Sequence, residues 1–194
     1  MVGEGVDRIR FVTHNRHKFR EARTILARFG LEVEWVEMEY PEVQADTLEE
    51  VALFSARWLL DRVDPPFFIE DAGLFIDALR GFPGPYSSFA FRTIGNEGIL
   101  KLMDGIRDRG ASFKSVVAVA LDRDSEPAVL VGETPGRIAE SIRGGGWGFD
   151  PIFEPLEPGG LTYGELGEDK NRYSHRYRAL RRLGEWLSKG CKHL

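Results

Sequence analysis

The sequence predicts an α/β fold in which a mixed β-sheet is flanked by helices. In the N-terminal half, stretches with the two-residue alternation of strands are followed by stretches with the helical spacing of apolar residues. In the C-terminal half, strands rich in β-branched and aromatic residues follow one another directly. This order of elements is typical of a mixed sheet. The 194 residues, 42% of them hydrophobic, suffice for one domain or two tightly associated lobes.

The first predicted element is a strand that leads into a helix. Apolar alternation from Ile9 to Thr13 predicts the strand, and apolar spacing from Phe19 predicts a helix that ends at Gly30. Thr47 and Glu50 predict a capping box at the start of the second helix. The predicted strands are 8–13, 32–38, 67–70, 74–78, 113–121, 127–132, 136–142 and 151–154. The predicted helices are 16–29, 48–62, 96–107 and 174–188. A hairpin turn is predicted at 122–127.

The loop between the first strand and the first helix is a candidate phosphate site. Backbone amides at a helix start lack partners and lie at the positive end of the helix dipole, so they bind anions. Lys18 adds a charge, and Thr13 and Asn15 add hydrogen-bonding groups. The candidate substrate-binding residues here are Thr13, His14, Asn15, Arg16, His17 and Lys18. The alternative interpretation is an asparagine helix cap flanked by solvated bases. No GxxxxGK[ST] phosphate loop occurs in the chain.

Two adjacent acids, Glu70 and Asp71, directly continue the apolar run over 67–69. Charges at this position are costly unless they are solvated, paired or bound to metal. Because side chains alternate along a strand, regular geometry would direct only one of the two carboxylates to any one side. The alternative interpretation is an acidic turn at the end of a strand.

The glycine-rich segment over 144–153 carries two large aromatic residues, Trp147 and Phe149, followed by Asp150. Glycines such as Gly148 let the backbone approach a flat ligand closely while aromatic rings stack on it. The alternative interpretation is a glycine-rich turn whose aromatic side chains fill the core.

The last segment lies at the start of the C-terminal helix, where Ser174 is the predicted N-cap and His175 and Arg176 fall in the first turn. Cations there oppose the helix dipole, which is sensible if an anion or a carbonyl oxygen docks beside them. A solvated basic helix is the alternative interpretation.

Together the segments resemble the Ham1/inosine triphosphatase family, the XTP/dITP diphosphatases that remove non-standard purine nucleotides. The matching patterns are T-x-N-x-x-K at 13–18, E-D-[ST]-G-L at 70–74, G-x-P-G-x-Y-S at 81–87, G-[WY]-G-[FW]-D-P-x-F at 146–153 and K-x-x-x-S-H-R at 170–176. They occur in family order over residues 9–180, and the ordered set is highly specific.

This resemblance implies a fold, a reaction and partners. It implies one catalytic domain over 1–194, an elongated α/β fold of two lobes with the active site in the cleft between them, and a homodimer. The implied reaction is hydrolysis of ITP, dITP or XTP to the nucleoside monophosphate and pyrophosphate. Asp71 would be the catalytic base, and Glu42, within Tyr40-Pro41-Glu42-Val43-Gln44, would hold Mg²⁺ with Asp71. Glu70 is a further candidate ligand.

The resemblance also assigns the substrate contacts. Lys18 and Lys170 would neutralise the polyphosphate, while Trp147 and Phe149 would stack on the base. Gly148, Asp150 and Ala72 complete the set of candidate substrate-binding residues. N–H groups of His175, Arg176 or the backbone would donate to the oxygen at position 6 of hypoxanthine or xanthine and leave the adenine amino group unpaired.

Two residues depart from the family pattern. Ala72 replaces the usual Ser or Thr after the aspartate, and Ser55 replaces a lysine found in many relatives. Arg57 lies about 200° further around the helix and is a poor substitute. Two alternatives stay open: a pyrophosphatase for other damaged or ordinary nucleotides, and a nucleotide-binding sensor that has lost turnover.

Composition excludes some functions. The net charge of −5 argues against general nucleic-acid binding. Eight acids and no Lys or Arg lie between Glu32 and Glu50, and eight bases with one acid lie between Lys170 and Lys192. The single cysteine, Cys191, excludes an internal disulfide. Without a signal peptide or a long apolar span, a cytoplasmic protein that does not bind membranes is expected.

Overall fold

A computed structural model describes residues 6–189 of the chain. Cys191, the single cysteine of the chain, lies outside the described residues. The strands are β1 (Arg8–Val12), β2 (Glu32–Val36), β3 (Phe67–Ile76), β4 (Gly110–Ala120), β5 (Ala128–Ile138) and β6 (Phe153–Pro155). The helices are α1 (Arg16–Leu26), α2 (Leu48–Leu59), α3 (Ser87–Thr93), α4 (Gly95–Leu102), α5 (Tyr163–Leu166) and α6 (His175–Ser188).

The strands form one six-stranded sheet in the order β2-β1-β3-β4-β5-β6. Strand β1 pairs in parallel with β2 and with β3, whereas β5 and β6 are antiparallel. Parallel pairs joined through helices early in the chain, and an antiparallel pair late in it, make the sheet mixed. The predicted α/β class with a mixed sheet and flanking helices is therefore confirmed.

Two strand boundaries were predicted incorrectly. The predicted strands 67–70 and 74–78 form the single strand β3, which runs through the acidic pair without a break. Within this strand, Gly73 lies so close to the backbone of Gly84 that a Cβ there would lie 2.4 Å from the Gly84 carbonyl oxygen, so only glycine fits. The predicted strands 127–132 and 136–142 likewise form the single strand β5, in which Pro135 does not interrupt the pairing. The carbonyl oxygen of Pro135 accepts a hydrogen bond from Leu156 at 3.0 Å.

The helices agree more closely with the sequence pattern at their starts than at their ends. Thr47 and Glu50 form the predicted capping box at the start of α2. The predicted helix 96–107 ends early, at Leu102, and α3 was missed because residues 87–93 lack an apolar stripe. The predicted hairpin turn after β4 is present, with Asp122 accepting backbone hydrogen bonds from Asp124 and Ser125.

Contacts divide the chain into two compact units. Among the described residues, unit 1 contains 6–71, 115–132 and 176–189, and unit 2 contains 72–114 and 133–175. The unit 1 core includes a stacked pair, Phe11 and Phe68, with ring centroids 4.4 Å apart. The unit 2 core includes Phe113 packed edge-on against Phe153. In the described part of the chain, no helix is both long and apolar enough to cross a bilayer.

Candidate active site

The loop between β1 and α1 is a tightly hydrogen-bonded turn in unit 1. Asn15 is the N-cap of α1, and its side-chain oxygen accepts from the amides of His17 at 2.9 Å and Lys18 at 3.2 Å. The buried Thr13 hydroxyl oxygen accepts from the Asn15 amide at 3.1 Å. Three amides that were expected to be available to phosphate therefore already have acceptors within the loop. Asn15 caps the helix, as the asparagine-cap interpretation expected, and Thr13 holds the Asn15 amide.

The other side chains of this loop differ in exposure. His14, Arg16 and His17 are exposed. The Arg16 guanidinium lies 5.5 Å from the ring centroid of Trp35, whose indole N–H donates to the Thr13 carbonyl at 2.7 Å. Lys18 turns inward, and its side chain is only 17% exposed. Lys18 is thus the cation of this loop that the fold holds in a defined place.

Glu70 is the partner of Lys18. The Lys18 ammonium donates to the Glu70 backbone carbonyl at 2.9 Å and lies 3.1 Å from its carboxylate Oε2. The Glu70 carboxylate is almost fully buried, accepts a hydrogen bond from the Ser115 hydroxyl, and lies 3.2 Å from the Arg176 Nε. These contacts within unit 1 engage both Glu70 oxygens, so Glu70 is poorly suited to be a second metal ligand.

Arg176 is buried within unit 1 between two carboxylates. It pairs with Glu70 and, through its Nη1, with Glu21. Burial works to lower the pKa of the guanidinium, but the charges of Glu70 and Glu21 outweigh this effect and raise the pKa above its ordinary value. Arg176 is therefore part of a buried ionic network, and its contacts with Glu70 and Glu21 engage the guanidinium that was expected to take part in base recognition.

Asp71 follows Glu70 on β3 and is partly exposed, in keeping with the alternation of side chains along a strand. Its charge acts on Tyr40, a residue to which the sequence interpretation gave no role. Burial raises the pKa of the Tyr40 hydroxyl far above its usual range, and repulsion from Asp71, Glu42 and Glu70 raises it further. The charges of three carboxylates therefore act on one protonated phenol in unit 1.

The carboxylate oxygens of Glu42 and Asp71 are the kind of ligand that a hard divalent cation prefers. Among residues 6–189, no three His, Cys, Asp or Glu side chains are grouped so that they could hold a metal by themselves. Glu42 is exposed and Asp71 partly exposed, so two carboxylates remain accessible. Mg²⁺ is usually bound by one or two carboxylates together with waters and substrate phosphates, which is what this incomplete set offers.

The glycine-rich loop in unit 2 is built around Asp150. Gly146 has φ +97°, and a Cβ there would lie 2.8 Å from the Asp150 carboxylate, so only glycine lets the acid lie against the loop. The ammonium of Lys170 is 2.7 Å from Asp150 Oδ2 and 5.5 Å from the centroid of the Trp147 ring. Because Asp150 neutralises Lys170, these contacts do not support the expected role of Lys170 as a phosphate cation.

The two aromatic residues of this loop have different environments. Trp147 is half-buried, whereas Phe149 is 3% exposed and packs edge-on against Phe91 at 5.4 Å. Phe149 has the burial expected of an aromatic side chain that fills the core, so Trp147 is the better stacking candidate. The side-chain amide of Asn96 donates to the Gly148 carbonyl at 3.1 Å and holds the loop.

His175 packs against the aromatic side chains of unit 2. Its imidazole stacks on Phe113, with centroids 4.5 Å apart and planes 9° apart, and lies 6.1 Å from Tyr163. Helix α6 begins at His175, directly after Ser174, as predicted. Packing fixes the orientation of the imidazole ring, which is a requirement for a residue that would recognise a base by hydrogen bonds.

The two departures from the family pattern have different surroundings. Ala72 is half-buried at the start of unit 2. Ser55 is fully buried, and its hydroxyl contacts the Pro41 and Val51 carbonyls, both at 3.0 Å. A lysine at position 55 would have to move its ammonium out of this environment, so the position does not offer an exposed cation site here.

Sequence reasoning missed Tyr40, Ser115, Glu21 and Asn96. Tyr40 stood within a matched segment, but nothing in its spacing indicated that the charges of three carboxylates act on it. Ser115 lies within an apolar strand, where a lone polar residue that would face the core is the one available signal. Glu21 and Asn96 lie on helices and carry no local signal.

Comparisons with known proteins show which family the chain resembles. The family model described as the Ham1 family matches residues 9–186. A protein of Thermococcus kodakarensis named dITP/XTP pyrophosphatase is 51% identical over 187 residues, covering 95% of this chain and 100% of the relative. A Korarchaeum cryptofilum protein with the same name is 50% identical over 177 residues, covering 91% and 94%.

Solved structures show the same fold. A HAM1 protein from Coxiella burnetii superposes with a TM-score of 0.81 at 30% identity, covering 94% of this chain and 98% of that one. A nucleoside-triphosphatase / dITP/XTP pyrophosphatase from Mycobacterium abscessus gives a TM-score of 0.71 at 32% identity, covering 91% and 97%. The match of the family model over most of the chain, with relatives at about 50% identity, shows that this chain belongs to the Ham1 family.

Proposed function

We propose that this chain hydrolyses dITP, ITP and XTP to the nucleoside monophosphate and pyrophosphate, and so removes non-standard purine nucleotides. The observation that carries the proposal is the identity of about 50%, over nearly the whole of both chains, to proteins named dITP/XTP pyrophosphatase. The local geometry supports it, since Lys18 and Asp71 are suited to a polyphosphate and Trp147 and His175 to a base.

Unit 1 supplies the groups for the polyphosphate. The Lys18 ammonium is held at the start of α1 by Glu70 and offers positive charge to a phosphate oxygen. Asp71 is proposed as the base that accepts a proton from the attacking water as the bond between the α- and β-phosphates breaks. The partly exposed carboxylate of Asp71 suits this role better than that of Glu70, whose oxygens are engaged by cations and a hydroxyl.

Glu42 and Asp71 are the proposed Mg²⁺ ligands. The bound ion would neutralise phosphate charge, which matters for an acidic protein that binds a polyanionic substrate. The Tyr40 hydroxyl, whose pKa burial and these carboxylates raise, stays protonated in their field. Exchange of Glu42 for Gln should raise the Mg²⁺ concentration needed for half-maximal activity, whereas the same exchange at the exposed Glu39 should not.

Unit 2 supplies the groups for the base. Trp147 is proposed to stack on the purine, and Lys170, Asp150, Gly148 and Asn96 hold its loop in place. Phe149 supports this loop from the core.

His175 is the proposed donor to the oxygen at position 6, a group that adenine replaces with an amino donor. Arg176, the next residue, is proposed to contribute to the same selectivity. Because its ion pairs with Glu21 and Glu70 are buried, a substitution of Arg176 would also lower the stability of the fold. Ala72 offers its backbone amide beside Asp71.

A second copy of this chain is the proposed partner. Residues 82–94 of unit 2 expose several large apolar side chains, namely Phe82, Tyr86, Phe89, Phe91 and Ile94, and this segment contains a single charge, Arg92. Two such nearly neutral surfaces can pack together without charge repulsion. Sedimentation of Phe89→Glu should show monomers, while Leu156→Glu, at a similarly exposed leucine, should sediment like the wild type. Identical sedimentation of both variants and the wild type as dimers would exclude this surface.

The reaction is tested with a panel of nucleotides and Mg²⁺, in which pyrophosphate and orthophosphate are measured separately. We expect pyrophosphate from dITP, ITP and XTP, far slower hydrolysis of ATP, and loss of activity on chelation. Orthophosphate without pyrophosphate would overturn the proposal. Equal rates with ATP would favour a general nucleotide pyrophosphatase, and binding without turnover would favour a sensor.

A further inference from the structure

The ammonium of Lys18 is held entirely by groups of Glu70 among its described contacts. It donates to the Glu70 carbonyl at 2.9 Å and pairs with Oε2 of the same residue at 3.1 Å. An ammonium has three N–H donors, so these contacts fix its position and direct the remaining donor. The backbone carbonyl of Glu70 therefore fixes one contact of Lys18, and the orientation of the Glu70 carboxylate sets the other.

The Glu70 carboxylate is in turn held from two sides. Arg176 Nε lies 3.2 Å from Oε1, and the Ser115 hydroxyl on β4 donates to the same oxygen. Ser115 is fully buried and is the neutral member of the group. A hydroxyl that donates to a buried carboxylate fixes its orientation, because the bond is both directional and charge-assisted.

We infer that Ser115 is a positioning residue for the polyphosphate: its hydroxyl orients Glu70, and Glu70 presents the Lys18 ammonium to the substrate. This inference rests on the proposed function of Lys18 as the phosphate cation. It gives Ser115, in the middle of a buried strand, a role in substrate affinity. It also assigns Glu70 the role of holding Lys18 in place, instead of binding metal.

The first test is Ser115→Ala, with inorganic pyrophosphate as the probe in calorimetry and dITP in kinetics. Loss of one charge-assisted hydrogen bond should weaken pyrophosphate binding about tenfold. The KM for dITP should rise by a similar factor while kcat changes by about twofold or less, because Lys18 binds phosphate in the ground state as well as in the transition state. Thr134→Val is the matched control, since it removes another buried hydroxyl, which donates to the Tyr173 carbonyl at 2.9 Å in unit 2.

A double-mutant cycle separates positioning from a general loss of structure. In a Lys18→Met background, Ser115→Ala should weaken pyrophosphate binding no further, because the group through which it acts is gone. Ser115→Thr keeps the hydroxyl and should retain an affinity within about threefold of the wild type. If Ser115→Ala proves too unstable to measure, Glu70→Gln takes its place in the cycle with Lys18→Met. This cycle and Ser115→Thr then test the contacts from Ser115 through Glu70 to Lys18.

The inference is overturned if Ser115→Ala and Lys18→Met weaken pyrophosphate binding additively, or if Ser115→Thr loses as much affinity as Ser115→Ala. It is also overturned if the Thr134→Val control shows the same loss as Ser115→Ala. Failure of the proposed function would instead appear as wild-type protein that binds pyrophosphate but releases none from dITP, with the mutant cycle unaffected.

Discussion

The two units use different physical means to fix their functional side chains. In unit 1, Lys18, Glu70 and Arg176 are held by ion pairs and hydrogen bonds with little exposure to water. In unit 2, packing against Phe113 holds His175. Trp147 lies on a loop that is held by the Asp150 carboxylate and the Asn96 side-chain amide. Under the proposed function, the ionic contacts would hold charges in place for a polyanion, and the ring packing would provide a flat surface for a base.

This difference predicts how each unit responds to substitution. An ionic network fails when one member is removed, because the remaining charges stay buried without compensation. A packed aromatic surface loses affinity in proportion to the ring that is removed and leaves the rest of the structure in place. The following changes test that contrast, from the largest expected effect to the smallest.

The largest effect is expected from Arg176→Leu. It leaves the carboxylates of Glu70 and Glu21 buried without their shared cation, so the free energy of unfolding should fall by about 3–5 kcal/mol. Urea denaturation measures this loss. Arg181→Leu is the control, since Arg181 and Glu185 form an exposed pair worth about 1 kcal/mol or less. Equal losses in the two variants would show that the network around Glu70 is not a stabilising unit.

Asp71→Asn is expected to act on turnover instead of stability. The amide keeps the shape of the side chain but cannot accept the proton, so kcat for dITP should fall by about 10² or more. Pyrophosphate affinity measured without Mg²⁺ should be largely kept, because Lys18 and its partners are untouched and the loss of a proposed metal ligand has no effect there. Glu70→Gln should show the opposite pattern, a weaker affinity with a smaller loss of kcat. The same loss of kcat in both variants would mean that both acids serve the reaction.

Trp147→Ala is expected to weaken substrate binding by about 1–3 kcal/mol, the usual contribution of stacking on a base. The KM values for dITP, XTP and ATP should rise by similar factors, because stacking does not distinguish purines. The half-buried Trp58, which packs under Arg62 in unit 1, provides the control in Trp58→Ala. A rise confined to dITP would give Trp147 a role in selectivity.

The smallest effect is expected from Ala72→Ser. It restores the hydroxyl that the family pattern carries, next to Asp71 and outside the ionic network. Activity on dITP should stay constant or rise by an amount worth about 1 kcal/mol or less. A loss of more than about tenfold in kcat/KM would show that the space beside Ala72 is needed by the substrate.

The sequence predicted the parts of the molecule that depend on local patterns. The mixed sheet, the Asn15 and Thr47 caps, and the start of α6 at His175 follow from spacing and capping rules. Alternation along β3 also predicted that Glu70 and Asp71 would differ in burial.

What the sequence could not predict depends on contacts between distant residues. Lys18 and Glu70 are 52 positions apart, and Arg176 and Glu21 are 155 positions apart. Nothing local indicates that these charges neutralise one another. For the same reason Lys170 was expected to face phosphate, although Asp150 is its partner. A charged residue in a matched motif can bind substrate or pair with another residue of the protein, and only the folded structure shows which residue it pairs with.

The central claim, that Lys18 binds phosphate and Trp147 stacks on the base, is tested by one crossed measurement. Inhibition constants for inorganic pyrophosphate and for deoxyinosine would be measured against dITP hydrolysis in wild type, Lys18→Met and Trp147→Ala. The account predicts that Lys18→Met weakens inhibition by pyrophosphate and spares deoxyinosine, and that Trp147→Ala does the reverse. Equal weakening of both inhibitors by either variant would contradict it.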